Sequence, residues 1–495
     1  MNANFAARLA GRAEQHGWAG RTAYLAGDVP WTHGQVHDLA ARTANLLAGH
    51  GVRSGDRVLL AAPDGIAWVA GFLAVARLGA TAVLVNPDLT AADHAGLLAD
   101  CAPRLCLSSA ALAGRFTDHS FVDIDDLVTR RAPESAPAGA ADVAAGTPLY
   151  IQYTSGTTGH PKGAVHAHGH PVRYAIDVGH EVLRIRPGDV ALSVSKMFWA
   201  YGFGNALVFP LYTGSAAVLS GHRPGAEEIA ELVVRHGVTV LYSVPSSYAA
   251  LVETEARKKF GSVRAAVSAG ETMPGPLAER LPDALGFTAI EQIGSTEAGH
   301  AFCANTVMDN VPGTLGNPVP GWELQLRDQA GNLVEPGTVG ELWARGPTLF
   351  SHYLNLPEVT ARTLVDGWLA TNDRAVCDNG VYRHAGRTDD MEMVGGISLS
   401  PIEIERVLLA HPLVREAAVA AVPDHRQATK LRAFIVPAAG ISGGDSPSGL
   451  PQDLVAWARS RLPAFKVPRS VQVVSELPRT PTGKLRRHLV RTGSW

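Results

Sequence analysis

Cysteine is scarce in this chain: Cys101, Cys106, Cys303 and Cys377 are the only four in 495 residues. Their spacing fits no metal-site pattern, and a chain of this length does not depend on a disulfide scaffold. Reduced thiols in a cytoplasmic protein are therefore expected. There is no basic block, and the net charge of −3 gives no electrostatic case for a nucleic-acid partner. The opening residues, MNANFAARLAGRAEQHG, hold no long apolar run of the kind a secretory signal needs. The apolar stretch 67–85 is interrupted by Arg77 and by small residues. It reads as a buried helix followed by a strand, so no membrane span is expected. No internal repeat is visible. What these absences leave is ordinary globular composition, 46% hydrophobic and 18% charged, in a chain too long for one core.

Helical and strand-like patterns alternate through the first two thirds. Residues 35–47 have helical spacing, while 57–62 and 80–85 read as short buried strands, an alternation that argues for parallel sheets covered by helices. Between 322 and 382 the pattern changes to short strands punctuated by Gly, Asp and Asn, which predicts a small β-rich subdomain. After residue 388 a compact α+β segment is expected, with helices over 401–409 and 450–462 and strands over 414–422, 430–436 and 470–474.

The most informative stretch is 153–170, YTSGTTGHPKGAVHAHGH. Thr154, Ser155, Thr157 and Thr158 supply hydroxyls, Gly156, Gly159 and Gly163 allow close backbone approach, and Lys162 adds a point charge. That combination suits a polyphosphate, although the same residues also build ordinary surface turns. It is not a Walker A loop, because Gly163 follows the lysine where that motif needs Ser or Thr. The apolar run before it reads as a strand, which puts the loop at a strand end, where α/β proteins bind ligands.

In this order with the motifs further along, the stretch resembles the phosphate loop of the adenylate-forming superfamily of acyl- and aryl-CoA synthetases, nonribosomal adenylation domains and luciferases. The resemblance covers nearly the whole chain. It implies an α/β fold: a large N-terminal domain (1–388) of two parallel-sheet subdomains plus a small β-barrel-like subdomain, and a mobile α+β C-terminal lid (389–495). It also implies an enzyme that uses ATP and Mg²⁺. Residues 291–300 read EQIGSTEAGH. By resemblance Glu297, with Thr154, helps hold Mg²⁺ against the phosphates, and Glu291, Gln292, Ile293, Gly294, Ser295 and Thr296 border the nucleotide. Gly270, Glu271 and Thr272 resemble the family's adenine-flanking segment. Asp373, in GWLATNDR, matches the aspartate that accepts from both ribose hydroxyls, and Arg387 matches an arginine that reaches the nucleotide. Many relatives have Gly where this chain has Asn372. Asp389 resembles the hinge of the lid. Lys484, in PRTPTGK, matches the lysine that offsets repulsion between carboxylate and phosphate during adenylation. Its setting also resembles lysine acetylation sites, and acetylation would remove that charge.

The acid substrate is expected against KMFWAYGFGN, 196–205. The AYG-x-GN pattern most resembles benzoate-CoA ligases, and the resemblance places Trp199, Ala200, Tyr201, Gly202 and Gly204 at an aryl pocket, with Ser243, His300 and Ala301 as further walls. The small residues equally suggest room for a bulky alicyclic or polycyclic acid, and an ordinary aromatic core would use the same residue types. Gly395 and Gly396 are expected at a pantetheine tunnel. Benzoate-CoA ligases usually carry a lysine where Met393 stands; here that cation is missing, and Glu392 is expected to add a negative charge. Adenylation should be intact, with thioester formation by CoA the part in doubt. The rival reading is a stand-alone adenylating enzyme that loads a carrier protein or hands its adenylate on. Luciferase-like oxidation has no support in the residues. A catalytically dead nucleotide-binding protein is opposed by the intact Lys162, Glu297, Asp373, Arg387 and Lys484. A homodimer is compatible with the sequence, which names neither the acid nor the pathway.

Overall fold

A computed structural model describes residues 2–129, 139–154, 161–254, 259–388, 392–394, 397–399, 401–423, 429–438, 449–462, 464–479, 485–493 and 495. Two large sheets share one buried helical layer. The seven-stranded sheet runs His352–Tyr353, Lys162–Ala167, Pro148–Thr154, Thr81–Leu84, Arg57–Ala61, Leu105–Ser108, Phe121–Asp123. Its strands are parallel from Pro148–Thr154 to Phe121–Asp123. Lys162–Ala167 and His352–Tyr353 close the other edge antiparallel. The nine-stranded sheet is built the same way. Six parallel strands run from Ala289–Gly294 through Ala265–Ser268, Val240–Ser243, Val190–Ser193 and Ala216–Leu219 to Thr22–Ala26, with antiparallel strands at both edges.

Strand alternation explains the layering. Val58 and Leu60 face the shared central core, whereas Leu59 and Ala61 face a separate cluster on the outside of their sheet. On the other sheet Tyr242 joins the central core and Leu241 an outer cluster. Between the sheets lies the helix Ile66–Arg77, buried along its whole length except Arg77. Its sequence, IAWVAGFLAVAR, is apolar on every face, as a helix covered on every side must be. The expected helix near 35–47 spans His33–Gly49 and begins with a capping box between Thr32 and Gln35.

The β-rich subdomain is an antiparallel sheet of Glu323–Arg327, Gly340–Arg345, Trp368–Asp378 and Leu364–Val365, with Val381–Arg387 paired to Trp368–Asp378. Asn379 and Gly380, both at positive φ, make the tight turn that joins those last two strands. In the C-terminal segment the three-stranded sheet Val414–Pro423, Thr429–Pro437, Ser470–Val473 packs Pro401–Leu409 and Leu450–Arg459 on one face. The short helix Arg487–Thr492, which the sequence pattern did not disclose, packs on the other. No helix among the described residues is long and apolar enough to cross a membrane.

Candidate active site

Two adjacent parallel strands, Ala265–Ser268 and Ala289–Gly294, deliver the expected segments from their carboxyl ends. Gly270, Glu271 and Thr272 follow the first strand, and Ser295, Thr296 and Glu297 the second. Gly270 has φ +86, a left-handed conformation that suits glycine. Gly294 is likewise required, since a Cβ there would overlap the His300 carbonyl. Glu291 is buried and accepts from the Gly313 N–H at 2.8 Å. Burial pushes its carboxyl up to about 7, against the pull of that N–H, Arg406 and the Met273 backbone. Gln292 is buried, and Ile293 is half-buried.

Thr154 and Lys162 face each other across the ends of their paired strands, while Ser155, Gly156, Thr157, Thr158 and Gly159 lie outside the described residues. The Lys162 ammonium sits 4.9 Å from the centre of the Tyr353 ring, and the Tyr353 hydroxyl donates to Glu297 Oε1 at 2.6 Å. Burial, then the Glu297 charge and hydrogen bond, keep that phenol protonated. Residues 348–354 act as a strap between the sheets. Thr348 Oγ1 donates to the Ala298 carbonyl at 2.7 Å. Phe350 N donates to Glu297 O at 2.7 Å, Ser351 N to Val165 O at 2.9 Å and Leu354 N to Gly163 O at 2.8 Å. His166 adds a further tie, its Nε2 lying 2.7 Å from the Thr296 carbonyl. Burial pushes His166 down to about 3, so a neutral ring with Nε2–H makes this bond.

A second tether holds the segment after the first strand. Thr272 Oγ1 lies 2.8 Å from His384 Nδ1, and His384 Nε2 lies 3.2 Å from Asp373 Oδ1. Arg387 Nη1 reaches the same oxygen at 3.4 Å, and Asp373 and Arg387 are register partners across their hairpin. Glu271 accepts from Ser246 N at 3.3 Å and Ser246 Oγ at 3.4 Å. Neither Tyr353 nor His384 was marked by a motif. His384 lies inside the quoted YRHAGR run, but only its tertiary partners reveal it.

The aryl-pocket segment requires a correction. Gly202 and Gly204 do not open room for a bulky acid. A Cβ on Gly202 would overlap the backbone carbonyls of Ser195 and Lys196, and one on Gly204 would overlap the His300 ring. Their missing side chains are filled by protein. His300 is buried, stacked on Tyr174 at 5.6 Å, with Nε2 3.3 Å from Asn205 Oδ1. Burial pushes it down to about 3. Tyr201 is half-buried and donates to the Val267 carbonyl at 3.1 Å, Trp199 is half-buried, and Ala200 and Ala301 are buried. Ser243 is buried at a strand end, and its hydroxyl has no hydrogen-bond partner among the described residues.

Glu392 also departs from expectation. It adds no free negative charge: Oε1 accepts from Arg491 Nε at 2.8 Å and Oε2 from the Ala421 N–H at 3.0 Å, and the side chain is buried. Met393 lies in the strand Glu392–Val394. Asp389, Gly395, Gly396 and Lys484 lie outside the described residues.

Among the described residues no three His, Cys, Asp or Glu side chains cluster as metal ligands. Glu297 nevertheless offers the oxygen chemistry Mg²⁺ prefers, since that ion is commonly held by one or two carboxylates plus water and substrate phosphate.

Lys162 and Glu297, joined through Tyr353, and Asp373, joined to Thr272 through His384, thus gather at neighbouring strand ends, an arrangement compatible with a nucleotide-using, acid-activating ligase. The chain belongs to the AMP-binding enzyme family: that family's model matches residues 10–354, and the model of the AMP-binding enzyme C-terminal domain matches 403–484. It is 41% identical to the p-hydroxybenzoic acid–AMP ligase FadD22 of Mycobacterium marinum, over 99% of this chain and 69% of that protein. With the benzoate–CoA ligase of Thauera aromatica the identity is 36%, over 99% of this chain and 96% of that protein. The crystal structure of a benzoate CoA ligase from Burkholderia xenovorans LB400 superposes with a TM-score of 0.90 at 35% identity, covering 99% of both chains. The chain is an enzyme of the adenylate-forming superfamily, close to the benzoate-CoA ligases, and it uses ATP to activate a carboxylic acid as an acyl adenylate.

Proposed function

We infer that this enzyme activates a benzoate-type acid, unsubstituted or carrying a small ring substituent such as hydroxyl, and then transfers the aroyl group to CoA in the cytoplasm. The observation that carries the reading is the pair of tethers on neighbouring strand ends, Lys162–Tyr353–Glu297 and Thr272–His384–Asp373. They supply a cation for phosphate and fixed carboxylates, one for a phosphate-bound cation and one for a ribose. The aryl class rests on the named activities of the relatives. Four free cysteines fit a reducing compartment.

In this reading Lys162 and the hydroxyls of 154–158 bind the β and γ phosphates, and Asp373 and Arg387 orient the ribose. Lys484 reaches the substrate carboxylate as it attacks the α phosphorus and pyrophosphate leaves; the ammonium offsets the charge that builds on the phosphoryl oxygens. Glu297 and Thr154 would hold Mg²⁺, which neutralises phosphate charge when bound. A swing of the lid about Asp389 then brings the Gly395–Gly396 side to the adenylate for attack by the CoA thiol.

One observation favours the second reading, an adenylating enzyme whose aroyl group goes to another acceptor: the 41%-identical relative is named an AMP ligase, not a CoA ligase. Acid-dependent pyrophosphate release with benzoate, 4-hydroxybenzoate and anthranilate, with and without CoA, separates the two by mass spectrometry of the products. Turnover to aroyl-CoA is expected. Aroyl-AMP that CoA fails to discharge establishes the second reading, and no pyrophosphate release with any aryl acid refutes both.

A further inference from the structure

We propose that His384 is a positioning residue of the nucleotide site, fixing Asp373 against Thr272 so that one carboxylate oxygen is committed to protein and the other is left for the ribose. This rests on the reading of Asp373 as the ribose acceptor. Asp373 Oδ1 is approached by two donors, His384 Nε2 at 3.2 Å and Arg387 Nη1 at 3.4 Å. No donor to Oδ2 is found among the described residues. The carboxylate therefore does not meet a nucleotide with both oxygens equivalent.

The ring also joins two parts of the fold. Thr272 follows a strand of the nine-stranded sheet, whereas Asp373 and His384 sit on paired strands of the antiparallel sheet. At 12% and 13% exposure, His384 and Asp373 are shielded from competing water. With neutral imidazole the pattern is complete: the Thr272 hydroxyl donates to Nδ1, and Nε2–H donates to the carboxylate. Losing that donor frees Asp373 to rotate and detaches the adenine-flanking segment from the ribose-binding hairpin. A hydrogen bond to a charged group contributes enough that its loss corresponds to about a tenfold change in affinity.

The test uses the full-length enzyme with 4-hydroxybenzoate or benzoate as acid and compares ATP with 2′-deoxy-ATP and 3′-deoxy-ATP. His384→Ala is expected to raise the KM for ATP about tenfold, leave the KM for the acid unchanged, and shrink the preference for ATP over the deoxynucleotides. His384→Gln, which keeps a donor and an acceptor, is expected to recover much of both. Thr272→Val should act in the same direction, and its combination with His384→Ala should cost less than the sum. Asp373→Ala is the reference. If it weakens ATP while His384→Ala and His384→Gln leave ATP and the deoxynucleotide preference untouched, the positioning role is overturned alone. If Asp373→Ala has no effect on ATP, the ribose reading falls and this inference with it. Equal rises in both KM values without any change in nucleotide preference mean general disruption and also overturn it.

Discussion

The body of the enzyme and its C-terminal segment are held together by different means. In the body, two sheets close on a continuous apolar layer containing Trp68, Phe72, Phe203 and Phe209, and polar ties such as Tyr353–Glu297 and His384–Asp373 join the candidate site residues. The C-terminal segment divides its apolar residues between the two faces of a three-stranded sheet, and the face under Arg487–Thr492 has a small buried cluster. That helix is fastened by ion pairs instead. Arg487 makes two bonds to Glu405, at 2.8 and 2.9 Å, and Arg491 pairs with Glu392. Glu405 also accepts from the Val419 N–H at 2.7 Å. Charge follows the same division. Residues 389–495 hold fourteen Lys and Arg against ten Asp and Glu, a net +4, so the −3 of the whole chain leaves −7 on residues 1–388. In the proposed reading an acidic body is thus matched to a small basic segment, the one that carries Lys484. The ion pairs brace the helix immediately beyond it.

The harshest test of this contrast is Arg487→Ala. Both partners are largely buried, at 12% and 9% exposure, so the substitution strands a buried carboxylate, at a cost of about 3–5 kcal/mol. Hydrogen exchange of the 485–493 amides should accelerate sharply while the amides of the helix Ile66–Arg77 stay protected. The more exposed pair Lys466–Glu403 is the control; Lys466→Ala should cost no more than about 1 kcal/mol. Equal effects from the two substitutions would remove the distinction between the regions.

Next in size is Lys484→Ala. Loss of one preorganised group that stabilises transition-state charge typically lowers turnover about 10²–10³-fold. Pyrophosphate release should fall by that amount, with ATP binding by calorimetry nearly unchanged, because the proposed reading puts all the other nucleotide contacts on the body. A matching collapse of ATP affinity would show that the segment contributes binding as well as catalysis. Tyr353→Phe probes the body's own tethering. It keeps the ring beneath Lys162 but deletes the bond to Glu297, and it should raise the KM for ATP about tenfold with the KM for the acid unmoved. An unchanged KM for ATP would mean that the strap alone holds Glu297.

The sequence made the architecture readable where one element carries its own pattern. Ile66–Arg77 is apolar on every face, the Gly-, Asp- and Asn-punctuated stretch 322–382 forms the β-rich sheet, and Pro401–Leu409 stands where its periodicity placed it. The same applies to motif residues such as Thr154 and Glu297, which stand at a strand end or in a turn recognisable locally. What stayed hidden depends on partners far along the chain. Tyr353 acts on Glu297 across 56 residues, and Arg491 neutralises Glu392 across 99. Gly202 and Gly204 read as space because their neighbours, the Lys196 backbone and His300, are invisible in a linear pattern. The antiparallel edges of the two sheets escaped for the same reason: strand direction is a property of a pair.

Asn372 offers the smallest expected effect and the finest probe of the body's rigidity. By the family resemblance it stands where glycine is common, directly before Asp373, and its φ is +60. That left-handed conformation explains the alternation of residue types, because Gly adopts it freely and Asn more readily than other side chains do. The backbone there is pinned on both sides: Thr388 N donates to the Asn372 carbonyl at 2.8 Å, and Asp373 N donates to Thr371 Oγ1 at 3.1 Å. Asn372→Gly should therefore change stability by less than about 0.5 kcal/mol, the unfolded-chain entropy being offset by relief of left-handed strain. The KM for ATP should not move. Asn372→Val, β-branched and disfavoured at positive φ, should cost about 1–2 kcal/mol and weaken ATP by turning Asp373. If Asn372→Gly alone weakened ATP while stability held, the Asn372 side chain, and not only the backbone it shapes, would belong to the nucleotide site.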